Sequence, residues 1–273
     1  MTPAGATMAN SLLSAGAAPE RAVAALPRRD RILIAGCIAV IAALAWWYLF
    51  RLERNMSAPA MPMMDMALQT PWSTRDLLFT FAMWSVMMVG MMSAPAAPML
   101  LLFAAMHARG QKLGVHRDVL LFGLGYIIIW FGFSALAALS QWSFHSAGVL
   151  SPAMALISPK FAPAILVAAG VYQLTPLKQA CLSHCQSPLG FMMSRWRAGP
   201  WGALQMGTRH GLHCLGCCWA VMCVLFAVGV MNLAWVALLS AFILVERITP
   251  FGAVVARAGG VLLLAAGLLF LFR

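Results

Sequence analysis

Gly211-Leu-His-Cys-Leu-Gly-Cys-Cys-Trp-Ala-Val-Met-Cys-Val-Leu-Phe-Ala-Val-Gly-Val230 runs for 20 residues without an Asp, Glu, Lys or Arg. A helix needs about 20 apolar residues to cross the ~30 Å hydrocarbon core of a bilayer. Further apolar runs lie at about 32–50, 77–105, 119–139, 161–174, 231–245 and 254–272. The chain is 63% hydrophobic and 9% charged, where a soluble domain carries about 25% charge. The expected fold class is therefore all-α: a polytopic transmembrane helix bundle of about seven spans. The turn Gly229-Val-Met-Asn232 is so short that the fifth and sixth spans should form an antiparallel hairpin.

The net charge of +11 invites a nucleic-acid reading. The basic residues instead sit between the apolar runs, where they act as topology markers. With the N-terminus in the cytosol, 13 of the 18 Lys and Arg face inward, which favours an N-in, C-out arrangement. Residues 1–30, rich in Ala, Pro and Arg, read as a disordered cytosolic tail, and 31–50 as the first transmembrane helix. An external loop follows at 51–74, holding Met56, Met61, Met63, Met64, Asp65 and Met66. A six-helix membrane domain fills 75–273, and 178–209 reads as its basic cytosolic loop. The implied location is a membrane, with the bilayer as partner and no nucleic acid.

The same run that decides the fold also carries chemistry. His210, His213, Cys214, Cys217 and Cys218 fall on one helical face about 140° wide at ~100° per residue, and Cys223 falls on the opposite face. Cys181, His184 and Cys185 stand at i, i+3, i+4 and would share a face of a second helix. Thiolate and imidazole bind zinc, copper and iron, and polar groups beside apolar spans are costly. A metal is the expected reason for both clusters, and 181–185 is expected to fold back onto 210–218. Simple packing by small Cys and polar His is the bland alternative.

The second span repeats the spacing with Trp84, Met87, Met88, Met91 and Met92, and Met99 joins that face. Thioether sulfur favours Cu(I) over hard ions, although Met also fills gaps in any helix packing. Pro95 and Pro98 interrupt this span and mark a place either for a pocket or for ordinary close helix packing. Glu246 and Arg247 read as an interfacial ion pair, and Asp76 as a cap or interface charge. Nothing resembles a Ser/His/Asp triad, a phosphate loop or a nucleotide fingerprint.

Trp84-Ser-Val-Met-Met-Val-Gly-Met-Met-Ser-Ala-Pro-Ala-Ala-Pro-Met99, Tyr172-Gln-Leu-Thr-Pro-Leu-Lys178, Cys181-Leu-Ser-His-Cys-Gln-Ser-Pro-Leu-Gly190 and Gly211-Leu-His-Cys-Leu-Gly-Cys-Cys-Trp219 resemble the motifs of a bacterial family. Its members are predicted metal-binding integral membrane proteins carrying a domain-of-unknown-function label. The resemblance spans roughly 75–270 and implies a metal-binding membrane protein without implying a reaction.

The expected function is binding of a soft transition metal, Cu(I) before Zn(II), for transport or delivery across the membrane. The ligand pool is Cys181, His184, Cys185, His210, His213, Cys214, Cys217 and Cys218, with Met87, Met88, Met91 and Met92 behind it. A metallochaperone or a membrane subunit would be the protein partner. The alternative is a membrane thiol oxidoreductase or a metallo-enzyme assembly factor using the clustered cysteines.

Overall fold

Each of the apolar runs folds as helix. A computed structural model describes residues 23–56, 72–110, 115–150 and 160–272. Among these residues the structure is all-helical: α1 (Arg28–Met56), α2 (Thr74–Gly110), α3 (Val115–Ser146), α4 (Phe161–Leu174), α5 (Pro176–Gln186), α6 (Pro188–Arg195), α7 (Gly199–Val228), α8 (Leu233–Ile248) and α9 (Gly252–Leu271). Met61, Met63, Met64, Asp65 and Met66 lie outside the described residues, as do residues 1–22. Leu26, assigned to the tail, is buried.

Among the described residues five helices, α1, α2, α3, α7 and α9, are long and apolar enough to cross a membrane. The other two expected spans are short. α4 has 14 residues and α8 has 16, or about 21 and 24 Å at ~1.5 Å per residue. Each stops at a Thr-Pro pair, Thr175-Pro176 and Thr249-Pro250. A residue before proline is pushed toward extended backbone, and both threonines are extended, with ψ of 150° and 145°.

The basic segment 178–209 is not a loop. It folds as α5, α6 and the first third of α7. Its Lys, Arg, Ser and Pro content disguises three helix starts. Pro176, Pro188 and Pro200 each sit in a first turn, where a missing N–H costs nothing. The Thr175 side chain accepts from the Lys178 N–H at 3.3 Å. Leu182, Phe191 and Met192 then bury the apolar faces of α5 and α6. Phe191 and Met192 join Phe103, Phe122 and Met206 in a second core, built from the end of α2 and the starts of α3 and α7.

The most extensive packing is α3 on α7 and α4 on α9. α3 meets α7 at Gly125, where an added Cβ would stand 2.8 Å from the Thr208 nitrogen, so the backbones touch only because glycine has no side chain. The turn after α7 is made by Gly229 at φ 100°, a conformation glycine adopts freely. Asn232 caps α8 through the Trp235 N–H at 3.4 Å, and the Glu53 carboxylate accepts from the Leu233 N–H at 3.2 Å. These acceptors serve the orphan donors of a helix N-terminus. At the start of α2 the Asp76 carboxylate accepts from the Ser73 N–H at 2.8 Å, so Asp76 is a cap.

Many outward-facing side chains are apolar, including Val40 and Leu44 on α1, Leu120 and Leu136 on α3, and Leu262 and Leu269 on α9. Arg51, Arg54 and Arg75 lie over the rings of Trp47, Phe50 and Phe79 at 5.2–5.6 Å. Cation–π pairs of this kind suit one rim of a membrane-embedded bundle.

Candidate metal centre

The site forms where α5 lies along the middle of α7. Cys214, Cys217 and Cys218 are buried, and the thiols of Cys217 and Cys218 donate to the Cys214 carbonyl at 3.1 and 2.9 Å. Cys185 on α5 stands with its Sγ 4.0 Å from that of Cys217. Cys181, one turn earlier, packs over Gly216, where an added Cβ would be 2.8 Å from its sulfur. Tyr172 donates its hydroxyl to the Gly216 carbonyl, tying the end of α4 to the same turn. All seven cysteines are free thiols.

The imidazoles divide into two groups. His184 and His213 stack at 4.7 Å between ring centroids, one from each helix. Each Nδ1 lies against a carbonyl one turn back, Ala180 O at 2.8 Å and Arg209 O at 2.7 Å. A carbonyl accepts only, so Nδ1 carries the proton and Nε2 keeps its lone pair in the neutral ring. His210 turns elsewhere, stacking on Tyr126 at 5.5 Å with its buried Nε2 lacking a hydrogen bond. The sequence-predicted stripe is thus one face of α7. Cys217 and His213 meet α5, while His210 meets the aromatic rings of α3.

Two side chains that the sequence reading left out hold the thiols. Arg247 Nη2 reaches Cys214 Sγ at 2.7 Å, Cys217 Sγ at 3.0 Å and Cys214 O at 3.3 Å. The Tyr126 hydroxyl lies 2.9 Å from Cys214 Sγ and 3.5 Å from the Met92 carbonyl. The expected Glu246–Arg247 ion pair is therefore wrong. Neighbours on one helix point apart, and Glu246 instead meets Lys178 of α5, with Nζ–Oε2 at 2.9 Å and Nζ–Oε1 at 3.1 Å. Gln173 adds a bond to the carboxylate at 3.2 Å, and Gln186 donates to the Glu246 carbonyl at 2.7 Å. Lys178 is 0% and Glu246 1% exposed, so Lys178 is no cytosolic topology marker. A sequence signal existed: only three tyrosines occur in the chain, and two of them, Tyr126 and Tyr172, bond into this site.

Met87, Met88, Met91 and Met92 are buried in the main core with Trp84. Trp84 Nε1 donates to Gln141 Oε1 at 2.7 Å. Met87 lines a small crevice with Glu53, Met83 and Met231. Met88 and Met92 line an apolar cleft of about 100 Å³ beside Ser93, Tyr126 and Trp130. Pro95 and Pro98 do not line this cleft and lie inside one continuous helix.

Outside the pairs named above, sulfur and nitrogen are not gathered into a cage. Among the described residues no group of three or more His, Cys, Asp or Glu is arranged to hold an ion. The sulfurs are instead engaged by Arg247, Tyr126 and the Cys214 carbonyl. Thiols and imidazoles brought together from two helices, beside buried thioethers, are the donor chemistry of soft-metal proteins. Residues 81–270 match the family model PpoB2, described as a copper chaperone, and the chain belongs to that family. No curated protein and no solved structure matches the chain.

Proposed function

We propose that the protein is a multi-pass protein of the bacterial inner membrane that binds Cu(I) as cargo and delivers it across the membrane. The observation that carries this reading is the approach of α5 to α7 at Cys185–Cys217 and His184–His213, in a chain of a copper chaperone family. Two sulfurs bound to one ion at ~2.3 Å stand about 3.8 Å apart at a tetrahedral angle and about 4.6 Å apart in line. The 4.0 Å separation of Cys185 and Cys217 lies within that range. Zn(II) is the second candidate for the same donors.

In this reading the ion enters from the Met-rich stretch at 56–66 and passes the thioethers of Met87, Met88, Met91 and Met92. Thioethers are neutral and bind Cu(I) without losing a proton. Cys181, Cys185, Cys214, Cys217 and Cys218 then retain it, since thiols bind tightly by ionising. His184 and His213, each with Nε2 free, receive it for a metallochaperone or membrane subunit. In the same reading the chain crosses seven times, N-in and C-out, and the retention site lies at the inner edge of the bilayer; the 13 of 18 basic residues counted on the inward side support it.

The test is copper stoichiometry on protein purified without oxygen. Wild type should retain copper, and Cys214→Ser with Cys217→Ser should lose it. Copper-free wild-type protein prepared from copper-supplied cells would sink the reading.

A further inference from the structure

Among the described residues, the buried charges are those of Asp118, Lys178, Glu246 and Arg247. Asp118 pairs with His107 at 3.2 Å, and Lys178 with Glu246 at 2.9 Å. Among the described residues Arg247 meets no carboxylate. One nitrogen touches both thiols and a carbonyl, while its Nε and Nη1 are buried without a hydrogen bond. An uncompensated buried charge is among the costliest things a fold can hold. Arginine cannot shed that charge by losing its proton. The site is therefore built around a fixed positive charge that calls for one negative charge from the sulfur side.

We propose that Arg247 sets the metal selectivity of the thiol pair Cys214 and Cys217, favouring a monovalent over a divalent ion. This rests on the reading of the site as a soft-metal receptor. When two thiols bind an ion, two S–H bonds break, two S–metal bonds form and two protons leave. With Cu(I) the dithiolate complex carries one net negative charge, which the guanidinium neutralises at contact distance. With Zn(II) the same complex is neutral, and Arg247 stays buried and unbalanced. No electron is transferred in either case. The Lys178–Glu246 pair, being neutral overall, leaves the balance to Arg247 while fixing the end of α8 that presents it.

The experiment measures Cu(I) and Zn(II) affinity separately, each against a competing chelator, on the full reduced chain in detergent. Variants are Arg247→Met, which keeps bulk and removes charge, and Arg247→Lys, which keeps charge. Arg247→Met should weaken Cu(I) binding about 100- to 1,000-fold, the scale of breaking a buried charge contact, and leave Zn(II) binding unchanged or tighter. Arg247→Lys should keep the wild-type preference. Equal loss of both ions in Arg247→Met, unchanged Cu(I) binding there, or loss of preference in Arg247→Lys overturns the proposal. If Arg247→Met does not purify as a folded species, the Arg247→Lys result alone decides. Wild type that binds neither ion would refute the soft-metal reading itself, an outcome distinct from lost selectivity.

Discussion

Lys178 and Glu246 give a direct test of how α5 is held against the bundle. Lys178→Met removes the ammonium while keeping an unbranched apolar chain. Glu246 then remains buried with Gln173 alone on its carboxylate, at 3.2 Å. At 2.9 Å and an effective dielectric of ~20, the lost attraction is about 6 kcal/mol. Part of this is offset because the ammonium no longer needs desolvation. Removing one partner of a buried pair costs about 3–5 kcal/mol in practice. For a chain of this size each kcal/mol shifts the midpoint by about 2–4 °C, so unfolding should move down by about 6–20 °C. Glu246→Leu alone should cost a similar amount, whereas Lys178→Met with Glu246→Leu should recover most of the loss, since apolar replacement of a whole buried pair is close to neutral. Ten tryptophans make fluorescence-detected thermal unfolding in detergent a workable assay. If the double variant loses the sum of the two single losses, the residues are uncoupled and the clamp reasoning fails.

Other outcomes follow from the same geometry. Burial pushes the Cys181 thiol up, and the hydrogen bond of Cys185 with Cys217, followed by burial, pushes the Cys185 thiol well up. Both therefore hold their protons beyond the range of a free cysteine, and a bound ion must displace them. Copper affinity at this pair should fall as pH drops and rise with pH, about tenfold per unit per displaced proton, read by chelator competition across pH 6–9 (roughly the working range for thiol ligands). Met87→Leu with Met91→Leu keeps apolar volume, so folding should change by less than about 1.5 kcal/mol, and copper accumulation should fall while copper already retained stays bound. Accumulation and tolerance equal to wild type would make the stripe core packing. A reporter fused after Arg273 should read as external; a cytosolic signal there would remove the seven-span, N-in arrangement.

The sequence by itself determined the all-helical class and the cysteines and histidines that α5 and α7 bring together. Long uncharged runs such as Gly211–Val230 leave little choice but helices in an apolar medium, because backbone groups there must bond within their own segment. The i, i+3, i+4 spacing put Cys214, Cys217 and Cys218 on one face, since that periodicity belongs to any helix. Because neither segment alone offers a tetrahedral ligand set, 181–185 is expected to fold back onto 210–218, and the two meet pairwise at Cys185–Cys217 and His184–His213. Only the tertiary structure decided which partners those faces find. Glu246 and Arg247 are adjacent in the chain, yet successive helical residues point about 100° apart, and that angle sends one to Lys178 and the other to the thiols. Lys178 looked like a surface cation because sequence records charge and not burial. Segment 178–209 looked like a loop because its helix-forming signals are proline first turns and a threonine cap, and these matter only once Leu182, Phe191 and Met192 have a core to enter. Distance between residues remote in sequence is a product of packing, and the Arg247–thiol contact exists only there.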